Sequence, residues 1–364
     1  MKFYDLGLGD PGLRAAMDMA YRRVMDSGWM ILGPEVEAFE SEFAEFCDVS
    51  QCIGVGNGFD ALVLALRAAG VGSGDEVVVP SHTFAATWLA VLAVGARPVP
   101  AEVDAVTFTL DPTAAAAAIS PSTKAIIPVS LYGHPVDMVP IMVLADRHGL
   151  FVLEDAAQSH GARYKGRRTG ALAHATAFSF YPSKNLGGLG DGGAVTTDDP
   201  ILADRLRRLR NYGSSQKYVH LEAGVNSRLD ELQAAFLRVR LTGLEASNAQ
   251  RRVLAGAYQA GLETVENLCV PAAANWAEPV HHLYVVGSPQ RDLLRDALAT
   301  AGIETQIHYP VPCHLQPAFE SLGIRRGSFP IAEQLADTVL SLPLWPGMPL
   351  ADVLTVVDAV RRGV

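Results

Sequence analysis

The sequence is poor in charged residues and has few basic side chains. Charged residues make up 19% of the 364 residues, and 39 acidic against 29 basic side chains give a formal net charge of −10. This balance argues against a nucleic-acid-binding surface, which requires a basic face. A few local cations can still bind an anionic substrate despite the net charge.

Cysteines and long apolar runs are also scarce. Four cysteines, Cys47, Cys52, Cys269 and Cys313, are too few for a disulfide framework in a chain of this length, and they lack metal-ligand spacing. The first residues lack the apolar core of a signal peptide. The longest apolar stretch, residues 85–96, is shorter than the ~20 residues that cross a bilayer. We therefore expect a cytoplasmic protein without a membrane segment or a metal site.

Hydrophobic residues are abundant, at 49%, which excludes a disordered chain. At ~150 residues per domain, the length indicates about two domains. In the first two-thirds, predicted helices alternate with short buried strands, which indicates an α/β fold with a large, mostly parallel mixed sheet flanked by helices. The predicted strands are 76–80, 124–129, 151–155, 175–180 and 193–197. The predicted helices are 13–27, 34–46, 58–69, 83–94, 114–118, 137–148, 200–212 and 229–260.

The pattern changes after about residue 262. A polar, proline-containing segment is followed by a predicted strand, a helix, a second strand and two helices. Their predicted ranges are 282–286, 291–301, 304–308, 331–340 and 352–361. We expect a large domain over residues 1–262 and a smaller α+β domain over residues 263–364.

A glycine-containing turn over residues 54–62 leads from a strand into a helix, with Asn57 as the expected N-cap. Free amides and the helix dipole at such a turn favour a phosphate, although an ordinary turn is the alternative. The third glycine of the dinucleotide-binding pattern is missing, which disfavours a nicotinamide-dependent enzyme.

Ionisable groups follow two of the predicted strands. Glu154 and Asp155 end one strand, at the edge where ligands of open α/β sheets bind. A carboxylate there can pair with a cationic ring nitrogen or a metal, or it can cap a helix. Lys184 follows another strand, and five glycines follow it within nine positions. A lysine near an apolar sheet edge can have a lowered pKa and form a Schiff base, whereas most lysines lie on the surface.

Two further segments carry polar side chains. Asn226 precedes the long predicted helix, where it either caps the helix or binds a ligand. His308 and His314 follow a predicted strand, but they lack further ligands at zinc spacing.

Together these motifs resemble the sugar aminotransferases of the DegT/DnrJ/StrS type, fold-type-I enzymes that use pyridoxal 5′-phosphate (PLP). The resemblance covers nearly the whole chain, from residues 27–36 to residues 341–347. It rests on Asp155 with Gln158, on Ser179, on Lys184 with its glycine-rich run, and on the segment that begins at Asn226.

The resemblance implies a role for each matching residue. Lys184 would hold the cofactor covalently and move protons, and Asp155 would keep the cofactor's ring nitrogen protonated. Gln158 would bind the ring hydroxyl, Phe84 would stack on the ring, and Ser179 would bind the phosphate. The expected cofactor-binding residues are Gly58, Phe59, Asp60, Phe84, Asp155, Gln158, Ser179, Lys184 and Asn226.

The backbone amides of Phe59 and Asp60 would also donate hydrogen bonds to the phosphate. Phe59 stands where many relatives have a phosphate-binding threonine, so its ring is expected to pack instead. Asn226 would reach the phosphate of the neighbouring subunit's cofactor. The resemblance therefore implies a homodimer with shared active sites.

Four segments are similar to members of this family that act on 3-keto dTDP-sugars. These segments are residues 85–90, 180–187, 217–218 and 308–317. This implies glutamate as the amino donor and a nucleotide-linked keto sugar as the acceptor. Lys217 would supply a cation for the diphosphate, and packing at a domain interface is the alternative for the aromatic residues. The expected substrate-binding residues are Tyr181, Lys217, Tyr218, His308 and Tyr309.

Other functions stay open. Lys184 argues against the related branch that has histidine at this position and dehydrates sugars. A 4-keto nucleotide sugar or a cyclitol is an alternative substrate. A non-catalytic regulatory or binding protein of this fold is a further alternative, although the joint presence of Asp155, Gln158, Ser179, Lys184 and Asn226 argues against it.

Overall fold

The computed structural model describes residues 1–363, which alternate between helices and strands in the first two-thirds of the chain. The helices are α1 (Pro11–Ser27), α2 (Pro34–Cys47), α3 (Gly58–Ala68), α4 (Ala86–Ala93), α5 (Pro112–Ala117), α6 (Met138–His148), α7 (Pro200–Leu209), α8 (Glu231–Leu241), α9 (Leu244–Leu262), α10 (Arg291–Thr300), α11 (Pro330–Thr338) and α12 (Leu350–Gly363). The strands are β1 (Gln51–Val55), β2 (Glu76–Pro80), β3 (Arg97–Ala101), β4 (Thr123–Ile126), β5 (Phe151–Asp155), β6 (Arg163–Tyr164), β7 (Arg167–Arg168), β8 (Ala175–Ser179), β9 (Gly193–Thr197), β10 (Ser214–Gln216), β11 (Val219–His220), β12 (Ala277–Glu278), β13 (Tyr284–Gly287) and β14 (Val339–Leu342).

Seven strands form the central sheet in the order β1-β9-β8-β5-β4-β2-β3. The pairs from β8 to β3 are parallel, and β9 is antiparallel to both of its neighbours. The expected α/β fold with a mostly parallel mixed sheet is therefore confirmed. Strands β2, β5 and β9 have the predicted bounds, and each is a short, mostly buried segment, as expected in a sheet covered on both faces.

The edge strand β3 escaped prediction because it contains Pro98 and Pro100. Proline cannot donate a hydrogen bond to a neighbouring strand and is confined to edge positions. The two prolines are two residues apart, so their missing donors lie on the same side of the strand. β3 pairs only with β2, and its other side needs no donors.

In three places the structure has a break or a different kind of element where one helix or strand was predicted. The predicted helix 229–260 is two helices, because the chain breaks at Gly243, which has a low helix propensity. The predicted strand 304–308 is wrong, since only Gln306 forms a single bridge, to Ser341. The predicted helix 331–340 ends at Thr338, where the chain enters β14 and pairs with β13.

The packing joins the two parts of the chain. Helix α9 shares an apolar cluster with β13, α10, β14 and α12. Conversely, Cys313 and Phe319 pack into the core beside the central sheet, and the ring of Phe319 lies 5.1 Å from that of Trp88. A boundary at residue 262 stays a prediction. Across residues 1–363, the helices are all too short or too polar to span a membrane.

Candidate active site

A cavity of about 500 Å³ opens at the carboxyl ends of the parallel strands. The loops after β2, β5 and β8 and the start of α3 line it, together with residues 308–309 from the C-terminal part. This edge is where ligands of open α/β sheets bind. The cavity brings together most of the residues expected to bind cofactor or substrate, namely Gly58, Phe59, Phe84, Asp155, Gln158, Ser179, Tyr181, Lys184, His308 and Tyr309.

The start of α3 forms an anion site at one end of the cavity. Asn57 caps the helix as predicted, because its Oδ1 accepts the amide of Asp60 at 2.8 Å. Within residues 1–363, nothing accepts a hydrogen bond from the amides of Gly58 and Phe59. Gly58 lies so close to Ser179 that a Cβ atom would approach the Ser179 Cβ to 2.5 Å. The hydroxyl of Ser179 accepts the Tyr181 amide at 3.3 Å and keeps its own hydrogen for a ligand.

Asp60 does not line the cavity. Its amide is engaged by Asn57, and its carboxylate accepts the Ser227 hydroxyl at 2.6 Å. Ser227 also accepts the Gly56 amide at 2.9 Å, so it ties the loop before α8 to the start of α3. The expected contact between the Asp60 amide and a phosphate is therefore not available in this arrangement, whereas that of Phe59 is.

The two adjacent carboxylates at the end of β5 face different surroundings, because neighbouring residues of a strand point to opposite faces. Glu154 is fully buried and accepts the Ser130 hydroxyl at 2.7 Å, and burial raises the pKa of Glu154 to about 7. Asp155 lines the cavity and accepts Thr87 Oγ1 at 2.9 Å and the Ala157 amide at 3.2 Å. Neither carboxylate is solvated or caps a helix.

Asp155 and Lys184 are the oppositely charged pair of the cavity. Burial raises the pKa of the Asp155 carboxyl, while its hydrogen bonds and the charge of Lys184 act in the other direction. Burial lowers the pKa of Lys184 to about 8, and the Asp155 carboxylate opposes this shift. Among the described residues, neither side chain has a salt-bridge partner within 4.0 Å. Lys184 is therefore partly neutral near physiological pH, as a nucleophile requires.

Gln158 lines the cavity and belongs to a buried hydrogen-bond network. Its Oε1 accepts the Tyr132 amide at 2.6 Å, and its Nε2 donates to Tyr309 Oη at 3.1 Å. The Tyr132 hydroxyl donates to the carbonyl oxygen of His308. The network thus ties the loop after β4 to the 308–309 segment, and Gln158 Nε2 retains a second hydrogen for a ligand.

Three aromatic side chains that line the cavity are partly exposed. Phe84 is 56% exposed and tilts toward Tyr309, with ring centroids 5.5 Å apart. Phe59 is 37% exposed and also lines the cavity, and the packing role of its ring stays a prediction. Tyr181 is more than half exposed at the same cavity.

Besides Asp60, three expected site residues lie outside the cavity. Lys217 and Tyr218 occupy the exposed hairpin of β10 and β11, where the Lys217 amine lies 5.2 Å from the centre of the Tyr218 ring. Asn226 is exposed and forms a bridge with Asn211. The interpretation of Asn226 as a helix cap is wrong, because α8 begins after Asp230.

Sequence reasoning missed several residues that the fold brings to the cavity or to the side chains that line it. Thr87 lies within residues 85–90, one of the segments that carry the resemblance. Only the folded structure reveals its contact with Asp155. Asp191 lay in the glycine-rich run, and His282 lay at the start of a predicted strand; both line the cavity. Tyr132 carried no signal beyond its position after β4.

The residues present fit PLP. The free amides of Gly58 and Phe59 and the hydroxyl of Ser179 suit its phosphate. A buried carboxylate without a cationic partner, Asp155, suits a protonated ring nitrogen. Lys184 lies in the same cavity with the lowered pKa that carbonyl chemistry needs.

Comparison with known proteins agrees with this geometry. Residues 13–361 match the DegT/DnrJ/EryC1/StrS aminotransferase family. The chain is 54% identical over 361 residues to a Saccharopolyspora erythraea protein named erythromycin biosynthesis sensory transduction protein EryC1, with 99% of each chain covered. It is also 54% identical over 360 residues to the dTDP-3-amino-3,4,6-trideoxy-alpha-D-glucose transaminase of Streptomyces venezuelae, with 99% of this chain and 95% of the relative covered.

Among solved structures, the chain resembles the X-ray crystal structure of S. venezuelae DesV in complex with a ketimine intermediate. The TM-score is 0.98 at 54% sequence identity, and the match covers 99% of this chain and 97% of the other. The resemblance read from the motifs, the PLP-dependent aminotransferase class and the fold are thereby confirmed. The chain belongs to the DegT/DnrJ/EryC1/StrS aminotransferase family.

Proposed function

We propose that this enzyme transfers an amino group from glutamate to the keto group of a dTDP-linked 3-keto deoxyhexose, in the biosynthesis of an amino sugar. The observation that carries the chemistry is the placement of Lys184 and Asp155 in one cavity with an anion site at its end. The sugar is inferred from the S. venezuelae relative, whose name specifies a dTDP-3-amino sugar.

The chain's own residues divide the work. Bound PLP serves as an electron sink for the carbon that loses its proton. Ser179 and the amides of Gly58 and Phe59 hold the phosphate, and Asp155 keeps a proton on the ring nitrogen. Lys184, whose pKa is about 8, takes a proton as a general base and returns it as a general acid.

The substrates need more positive charge than the residues that line the cavity provide. Glutamate and a nucleotide diphosphate are both anionic, yet the cavity is lined by one cation, Lys184, and two carboxylates, Asp155 and Asp191. No arginine is among the residues that line it. The missing cation must therefore come from another segment or another subunit.

We propose that a second copy of the chain supplies it. Lys217 lies at the tip of an exposed hairpin whose apolar residues Tyr218 and Leu221 are 84% and 64% exposed. Such exposed apolar side chains indicate a protein interface. In a homodimer, Lys217 and Asn226 of one subunit would reach the cavity of the other, while Tyr181, His308 and Tyr309 would bind the sugar from within the chain.

A regulatory role without catalysis is the second candidate, because the S. erythraea relative is named as a sensory transduction protein. A protein that only senses a ligand has no need for a lysine of lowered pKa opposite a buried carboxylate. We also propose a cytoplasmic location, which suits the four free cysteines of the chain.

The purified protein tests these proposals directly. Loaded with PLP, it should turn over glutamate and aminate a dTDP-3-keto sugar faster than a dTDP-4-keto sugar or an inosose. Lys184→Ala should abolish transfer while leaving the fold intact. A protein that binds these sugars but transfers no amino group to any of them would favour the regulatory alternative.

A further inference from the structure

His282 belongs to a buried chain of hydrogen bonds that runs from the core to the cavity. Its Nδ1 lies 3.2 Å from Oδ1 of Asn185, the residue after Lys184. Nδ2 of Asn185 donates to Asn248 Oδ1 at 2.8 Å and to the carbonyl oxygen of Val280 at 3.0 Å. Nδ2 of Asn248 in turn donates to the carbonyl oxygen of His160 at 2.8 Å.

Two backbone carbonyls determine the direction of every bond in this chain. A carbonyl oxygen can only accept, so Val280 and His160 require the NH₂ groups of Asn185 and Asn248 to face them. The amide oxygen of Asn185 is consequently the atom that faces His282. The imidazole must then donate from Nδ1, and Nε2 is left as an unprotonated acceptor.

The surroundings of His282 keep this arrangement in place. Burial lowers the pKa of His282 well below its ordinary value, and the charges of Lys184 and Arg251 act in the same direction, so the ring stays neutral. Arg251 donates through Nη1 to the carbonyl oxygens of His281 and His282 at 3.1 and 3.3 Å, which holds the backbone.

The free nitrogen of His282 faces the ligand side. His282 lines the cavity with Lys184, and Nδ1 is already engaged, so Nε2 is the nitrogen available to a ligand. No described residue donates to Nε2, and the Lys184 amine makes no hydrogen bond to it. An acceptor in this position can take a hydrogen bond from a donor that arrives with the substrate.

We propose that His282 is a substrate-binding residue that accepts a hydrogen bond from a hydroxyl of the keto sugar through Nε2. This inference rests on the proposed function, because it takes a keto sugar as the ligand. Asn185 is the positioning residue that sets the tautomer, through its contacts with Val280 and Asn248.

The tautomer can be measured without any substrate. In PLP-loaded protein labelled with ¹⁵N-histidine, His282→Gln identifies the signals of His282 by their loss, and His148→Ala, at an exposed histidine, is the matched control. We expect Nε2 of His282 to show the chemical shift of an unprotonated nitrogen and Nδ1 that of an N–H. A protonated Nε2 in the wild-type protein would overturn the proposal.

The two half-reactions then identify the donor. In single-turnover experiments, His282→Ala should leave the reaction with glutamate within about twofold and slow the reaction with the keto sugar about tenfold, as expected for one lost hydrogen bond. His282→Gln, which keeps an acceptor, should recover part of the loss. An equal loss in both half-reactions would assign Nε2 to the Lys184 amine and overturn the sugar contact. The absence of a loss in either half-reaction would also overturn the sugar contact.

The failure of this proposal differs from that of the proposed function. If the wild-type protein aminates no keto sugar, the proposed function fails whatever the tautomer of His282. If the wild-type protein is active and His282→Ala matches it in both half-reactions, only the role of His282 fails.

Discussion

Thr87 on α4 donates a hydrogen bond from Oγ1 to Oδ2 of Asp155 at the end of β5, across 2.9 Å. Thr87 is itself fully buried, and its Oγ1 lies 3.2 Å from Oγ1 of Thr83. Thr83, Thr87 and the carboxylate of Asp155 therefore form a chain of hydrogen bonds. This hydrogen bond favours the ionised form of Asp155, which burial disfavours.

Replacing Thr87 by valine should therefore raise the pKa of Asp155 further while keeping the shape of the side chain. We expect kcat to fall about tenfold, since a hydrogen bond to a charged group contributes roughly 1.5–3 kcal/mol and only part of it acts on the rate. The pH dependence of the cofactor absorbance reports the change. Thr87→Ser keeps the hydroxyl and should resemble the wild-type protein; a valine variant with an unaltered pH profile would refute this role.

Asp155→Asn tests the carboxylate itself. The amide cannot hold a proton on the ring nitrogen by charge, so we expect kcat to fall by about a hundredfold or more, as when a preorganised electrostatic group is removed. The melting temperature should not drop, because a buried carboxylate that forms no salt bridge destabilises the fold. Steady-state kinetics and thermal unfolding separate the two effects, and full activity in this variant would exclude Asp155 as the ring-nitrogen partner.

Local sequence patterns made Asp155 and Lys184 candidates, because each lies at or after the end of a short apolar strand and such strand ends meet at one edge of the sheet. The family resemblance then implied their roles. The same patterns could not predict Thr87 or His282. Their partners, Asp155 and Asn185, lie 68 and 97 positions away in the chain, and only the folded structure brings them together. Asn226 was expected in the site through the resemblance, and it lies outside the cavity of its own chain.

The lowered pKa of Lys184 predicts how fast the apoprotein binds PLP at different pH values. Only the neutral amine attacks the cofactor aldehyde, so the rate should rise with pH and level off above about 8, the pKa of Lys184. Stopped-flow absorbance after mixing apoprotein with PLP measures this rate. In Asp155→Asn the midpoint should move to lower pH, because the carboxylate that stabilises the ammonium is gone; a midpoint near the ordinary lysine pKa of about 10.4 would contradict the burial of Lys184.

A mixed dimer tests whether Lys217 acts on the cavity of the other subunit. Lys217→Ala alone should raise the KM for the nucleotide sugar about tenfold, because a cation near the diphosphate is removed. For the same reason, this KM should no longer depend on the salt concentration. Consider a heterodimer with one Lys184→Ala subunit and one Lys217→Ala subunit. If Lys217 acts on the cavity of the other subunit, one site contains both lysines and the other site contains neither. Such a heterodimer should show the wild-type KM and about half of the wild-type kcat per dimer. Action within one subunit would instead leave Lys184 only in the site that lacks Lys217, and the KM would stay raised.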